Sequence, residues 1–204
     1  MIMLWAHILG VLSMPSERPR RSGCNDELTE RIPDNILLEP IEYLFADHCR
    51  QAVLCDAIHH FVAHFFDAPP SSDRAAAILS CLEIEVSLHI ADEELDLFPR
   101  LRARAQADDH FPELLRLLDK EHDRDRALAG EVCADLTRLA QDQSLEDPAR
   151  FCRSASALAA SHLSHLEWEN AVLLPLARLR LTNQDLNALG KAMAARRSIP
   201  YPAD

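Results

Sequence analysis

Glycine is nearly missing from this chain, with four in 204 residues, and aromatic residues make up only 5% of it. Strands draw on β-branched and aromatic residues and tight hairpins on glycine, so the shortage speaks against sheet. The abundance of Leu, Ala, Arg and Glu speaks for helix. Positive charge is scarce as well: 21 Lys and Arg stand against 33 Asp and Glu, for a formal net charge of −12. Neutralising phosphates takes clustered Lys and Arg, so no nucleic-acid partner is expected. Arg18, Arg20 and Arg21 form a short basic run that reads as part of a solvated tail. The six cysteines (Cys24, Cys49, Cys55, Cys81, Cys133 and Cys152) include no C-x-x-C pair. A zinc ribbon or a thioredoxin-like couple is therefore not suggested, and a reduced, cytoplasmic setting fits best.

Long apolar runs are lacking too. The first fourteen residues, MIMLWAHILGVLSM, come nearest. They are too short to span a bilayer, no basic stretch precedes them, and no A-x-A site follows. They read as a tail, or as residues ahead of a true start at Met14, and no membrane partner is expected.

Half of the chain is apolar, enough for one domain with a core of its own. Residues 1–37 are expected to form a flexible N-terminal arm, with order beginning near Pro40. Apolar residues then recur at three- and four-residue steps over 41–66, which marks a helix. A second helix is expected from near Asp73 to about Phe98, where Pro99 would break or kink it. A third runs from about Pro112 to Ala140. Asp147 and Pro148 open a fourth, which reaches at least Leu174. Thr182 and Asp185 have capping-box spacing for a short fifth helix. The reading is all-α: an up-down-up-down four-helix bundle over 38–180, followed by a short extra C-terminal helix and tail over 181–204.

One stretch, HIADEELDLFP from His89 to Pro99, returns 76 residues later as HLEWENAVLLP from His165 to Pro175. Each copy holds a His, a Glu four residues on, and a Pro six beyond that. Residues four apart share a helix face, so each copy offers an imidazole and a carboxylate side by side, as Fe, Mn or Zn ions require. His48 and His122 complete the pattern, 41 and 43 residues ahead of His89 and His165. With antiparallel helices all four histidines fall at one level, roughly 12–15 Å from the same end of the bundle. Each half is thus a helix with His followed by a helix with His-x-x-x-Glu. A pseudo-twofold axis would gather His48, His89, His122, His165, Glu93 and Glu169 around one point, enough for two metal ions bridged by the glutamates. Six such groups buried without an ion would be costly.

Other polar residues lie near this set. His162 shares a face with His165 and reads either as a fifth histidine ligand or as a hydrogen-bond donor beside the site. Glu121 is placed to gate or polarise it, and Glu85 and Asp96 are candidates to orient a histidine N–H. His7, His59, His60, His64 and His110 read as background. Phe45, Leu44, Val86, Leu118 and Val172 are expected to wall the site.

These features resemble the hemerythrin-like, or HHE cation-binding, family over about residues 38–178. The resemblance implies a four-helix bundle with two non-haem iron ions and an oxo, hydroxo or water bridge. It makes His48, His89, His122 and His165 terminal ligands and Glu93 and Glu169 carboxylate bridges. Oxygen-carrying members have a second histidine on the third helix, four residues from the first, where this chain has Leu118 and Arg126. They also carry an aspartate for the second bridging glutamate. The chain is more similar to the four-His, two-Glu branch, which includes iron- or oxygen-sensing domains and proteins implicated in repairing iron centres. The implied ligands are O2, NO or a peroxide, in stress defence or sensing rather than catalytic turnover. An iron donor for an iron–sulfur client protein and a di-iron peroxidase or oxidase are the alternatives. Neither the redox partner nor the oligomeric state is readable from the sequence.

Overall fold

The structure is a computed structural model that describes Leu28 and residues 32–201; the stretch MIMLWAHILGVLSM and most of the expected arm lie outside the described residues. No strand occurs among them. Helix α1 is Pro40–Ala63, with its proline in the first turn, where the missing N–H leaves no bond unmade. Helix α2 (72–104) starts at the Ser71 cap, whose side chain accepts from the Arg74 N–H. Helix α3 is Phe111–Ala140, and α4 (148–180) opens on Asp147, which accepts from the Arg150 N–H. A short α5, Asn183–Arg196, follows. Helix α1 packs mainly on α4, α4 on α3 and α3 on α2, and α1 against α2 closes the ring. No helix among the described residues is long and apolar enough to cross a membrane.

The second and fourth helices do not stop at their prolines. Helix α2 continues through Pro99 to Arg104, and α4 continues through Pro175 to Arg180. The reason is a change of winding just upstream: Glu93–Leu97 and Glu169–Leu173 are π-helical turns. A proline cannot donate to the carbonyl four residues back, and its ring crowds that carbonyl. The wider π turn makes room for the ring and leaves the proline in the first turn of the α segment that follows. Both π turns begin on the glutamate of the repeated motif.

Apolar side chains fill the bundle in two blocks. The block at the proline end holds Leu37, Leu44, Leu97, Leu101, Phe111, Leu118, Leu173 and Leu174. The far block holds Leu54, Ile58, Phe61, Ile78, Val132, Leu136, Phe151 and Leu158. Burying a leucine or phenylalanine contributes roughly 1.5–3 kcal/mol, so the two blocks dominate the folding energy. On every long helix the histidine of interest falls between residues of the two blocks. The polar site is therefore a slab held between two dry layers.

The chain is built in before Pro40. Asp34–Leu38 forms a 3-10 turn, and Leu37 is buried against α5. A Cβ on Gly190 would meet the Leu37 carbonyl at 2.5 Å, so the contact needs glycine. Helix α5 buries Leu189 and Met193 in the proline-end block, and Arg196 and Arg197 both clasp Asp92, next to Glu93.

Thr182 and Asp185 form the expected capping box. Asp185 accepts from the Thr182 N–H at 3.0 Å, and Thr182 Oγ1 accepts from the Asp185 N–H at 3.2 Å. The Thr182 bonds, with help from Arg104, hold the Asp185 carboxyl down at about 2. A carboxyl lowered by folding stabilises above its unfolded value near 4 and loses that contribution as pH falls toward 2. Asp185→Asn is expected to lower stability at neutral pH by a fraction of a kcal/mol, as for an exposed charged contact, with the gap closing in acid, as read by denaturant unfolding at several pH values.

Candidate metal centre

Six side chains from four helices meet in the polar slab. His48 comes from α1, His89 and Glu93 from α2, His122 from α3, and His165 and Glu169 from α4. None is more than 3% exposed. The Nε2 atoms point inward at the two carboxylates. His89 and His122 Nε2 each lie 3.6 Å from Glu93 Oε2, and His48 Nε2 lies 3.6 Å from Glu169 Oε2. His165 Nε2 is 3.0 Å from Glu169 Oε1 and 3.1 Å from His122 Nε2. Two overlapping groups of donor atoms result, each spanning no more than 4.8 Å: His48, His89, Glu93 and Glu169, and Glu93, His122, His165 and Glu169. The glutamates belong to both.

The outer nitrogen of each ring faces an oxygen from a different helix. His48 Nδ1 is 2.7 Å from Asn170 Oδ1, and His122 Nδ1 is 2.8 Å from Glu94 Oε1. His165 Nδ1 is 2.9 Å from Glu121 Oε2, and His89 Nδ1 is 3.2 Å from Asp47 Oδ2. The pattern obeys the internal repeat. The acid just before the first histidine of each half, Asp47 or Glu121, serves the histidine of the following helix. The residue just after the glutamate of each half, Glu94 or Asn170, serves the first histidine of the other half. An acceptor at Nδ1 keeps the proton there and turns the Nε2 lone pair inward, as a metal-binding imidazole needs.

Burial and mutual charge set the protonation of the cluster. Burial, reinforced by the His89 charge, pushes His48 down to about 4; burial and the His165 charge also lower His122. Burial opposes charge on His165, but Glu121 and Glu169 outweigh it and hold the ring up at about 10. His89 is raised in the same way, with Glu93, Asp47 and Glu169 overcoming burial. Burial and the Glu169 charge push the Glu93 carboxyl upward. Entry of a cation would displace these protons.

The structure also places the neighbours. His162 is not turned into the cluster: its Nε2 is 2.7 Å from Gln51 Oε1, and Gln51 Nε2 donates to Asp47 at 2.7 Å. It supports the layer beneath. Glu121, read as gating or polarising the site, meets His165 at its Nδ1. Glu85 instead accepts from Arg50 at 2.6 Å, and Asp96 pairs with Arg100 and Arg196. They share a face with His89, but one and two turns along the helix, where Arg50 from α1, Arg196 from α5 and Arg100 of α2 itself reach them first. Leu44 and Leu118 wall the site, whereas Phe45 is 44% exposed, one position round the helix from the buried face. His59 lies outside both donor groups.

Asp47 holds Gln51, Arg50 and His89 together, each within 3.2 Å. Asp47→Asn keeps the shape and removes the charge behind His89. It is expected to weaken metal binding about 10–100-fold without unfolding the chain, as read by competition with a chelator. Unchanged affinity would mean that Asp47 serves only to anchor Arg50.

Four imidazoles and two carboxylates enclosed by four long helices are the donor set of a metal-binding helical bundle. The chain belongs to the hemerythrin HHE cation-binding family: the model of the Hemerythrin HHE cation binding domain matches residues 39–177. No curated protein is significantly similar to the chain.

Proposed function

We propose that the cluster holds two non-haem iron ions, one at His48 and His89 and one at His122 and His165, with Glu93 and Glu169 bridging them. The protein would use the pair to bind O2, NO or a peroxide in cytoplasmic stress defence or sensing. One observation carries this reading: the two donor groups share both glutamates. The donor atoms also fit. His48 Nε2, His89 Nε2 and all four oxygens of Glu93 and Glu169 are buried without a hydrogen-bond partner. Buried polar atoms left unpaired cost roughly 1–3 kcal/mol each, so so many in one place call for a cation. When bound, the irons would supply an electron-rich ligand site and redox equivalents.

The chain's own residues do the rest. Acceptors at Nδ1 fix the ring tautomers of His48, His122 and His165, Asp47 stands beside the Nδ1 of His89, and the two apolar blocks exclude bulk water. The third helix supplies one imidazole, because Leu118 is buried in the proline-end block and Arg126 pairs with Glu94. Such a donor set leaves coordination room, which favours ligand binding and sensing. A cavity of about 430 Å³ reaches His89, His122 and His165 from the side of the far block. Anaerobic titration of the iron-loaded protein with NO, followed optically and by paramagnetic resonance, tests the reading. Saturable spectral change at about one NO per metal pair supports it; an iron-loaded protein indifferent to NO, O2 and peroxide would remove the ligand-binding role.

A further inference from the structure

The cavity beside the metal centre is far larger than a diatomic ligand needs. At about 430 Å³ it lies within the range of organic-ligand pockets, about 300–1,000 Å³. All four long helices line it, α2 and α3 with the most residues. A third π turn, Cys81–Val86, forms its rim and has no part in the metal centre. Such turns gather at functional sites. Leu54, Ile58, Val86 and Leu158 give it apolar walls, and the site histidines close its inner end.

One group in the cavity is unexplained. Asp125 lines it, is 6% exposed, and has no hydrogen-bond partner at either carboxylate oxygen; His162 Nδ1 stands 3.5 Å away. The other acid of the lining is Glu83, and its lone arginine, Arg126, is engaged by Glu94 and Asp123. Burial opposes charge on Asp125, but His162 and Ser161 outweigh it and lower the carboxyl, so it is ionised while its oxygens hold no hydrogen bond of good geometry.

We propose that this cavity binds a small amphipathic primary amine, with its ammonium on Asp125 and its hydrocarbon chain along the apolar walls beside the metal centre. The ammonium supplies the missing donors, and the chain fills space that would otherwise stand open. That the bound amine lies beside iron rests on the function proposed above; the Asp125 site does not.

The test is calorimetric titration of the full chain with n-alkylamines from butyl to octyl, with n-alkylcarboxylates of equal length as controls, on metal-loaded and chelator-treated protein. Affinity is expected to rise about fourfold per methylene, the equivalent of about 0.8 kcal/mol, until the cavity is full. On chelator-treated protein, carboxylates are expected to bind at least tenfold more weakly than amines of equal length. Asp125→Asn should weaken the amines at least tenfold, and Ala129→Leu, which narrows the cavity, should reject the longest amines while keeping the shortest. Binding should survive metal removal, so failure to load iron leaves this test intact. No saturable amine binding would overturn the proposal. So would binding indifferent to chain length or to Asp125→Asn, or binding that needs the metal, which would make the amine a metal ligand.

Discussion

Replacing either Glu93 or Glu169 by alanine is expected to empty the whole centre, taking metal content from about two ions per chain to near none. A single histidine variant, His48→Ala or His122→Ala, is expected to remove about one. The asymmetry follows from the shared carboxylates. Glu169 alone offers Oε2 to the His48 and His89 side, at 3.6 and 3.8 Å, and Oε1 to His165 at 3.0 Å. Losing it strips an oxygen donor from both positions and leaves two cations with one bridge to offset their repulsion. Each histidine belongs to one donor group only. Glu169→Gln keeps the shape and tests whether charge or volume matters, and circular dichroism shows whether the helices persist. His59→Ala and His60→Ala should keep full metal content. Equal losses in all of these variants would contradict the shared-bridge arrangement.

Chelation is expected to lower the melting temperature by about 10 °C. An ion that binds only the folded chain, at a free concentration a thousandfold above its dissociation constant, adds about 4 kcal/mol. For a domain of this size each kcal/mol moves the midpoint by about 2–4 °C. The metal-free centre must also keep its unpartnered Nε2 and carboxylate atoms dry between two apolar blocks. The measurement is thermal unfolding with and without chelator, in wild type and in Glu169→Ala. The variant should melt low and ignore the chelator, and a wild-type midpoint unmoved by chelation would mean that the slab is stable without an ion.

The six clustered residues were legible because helical period and internal repetition say the same thing. His-x-x-x-Glu puts two donors on one face, and the matched separations of His48 from His89 and His122 from His165 bring the faces to one level. What lay beyond reading was the local backbone. Pro99 read as a break or kink, and the fourth helix was followed only to Leu174, since only the structure shows the π turns at Glu93 and Glu169 that make room for the rings of Pro99 and Pro175. The Nδ1 partners were half hidden. Asp47 and Glu121 stand beside a histidine in sequence yet serve the one on the next helix, a pairing that periodicity along a single helix does not reveal. Glu94 and Asn170 did leave a signal, since both follow the repeated glutamate directly, but residues one apart point about 100° apart on a helix and look unrelated to the site. His162 has the phase of a ligand; Gln51, from α1, captures its inner nitrogen first.

The most direct test of the centre is the metal content of anaerobically purified protein, with optical spectra before and after exposure to air. About two irons per chain are expected, with near-ultraviolet bands growing on oxidation. No bound metal, even after anaerobic reconstitution with Fe(II), would contradict the centre proposed at His48, His89, Glu93, His122, His165 and Glu169.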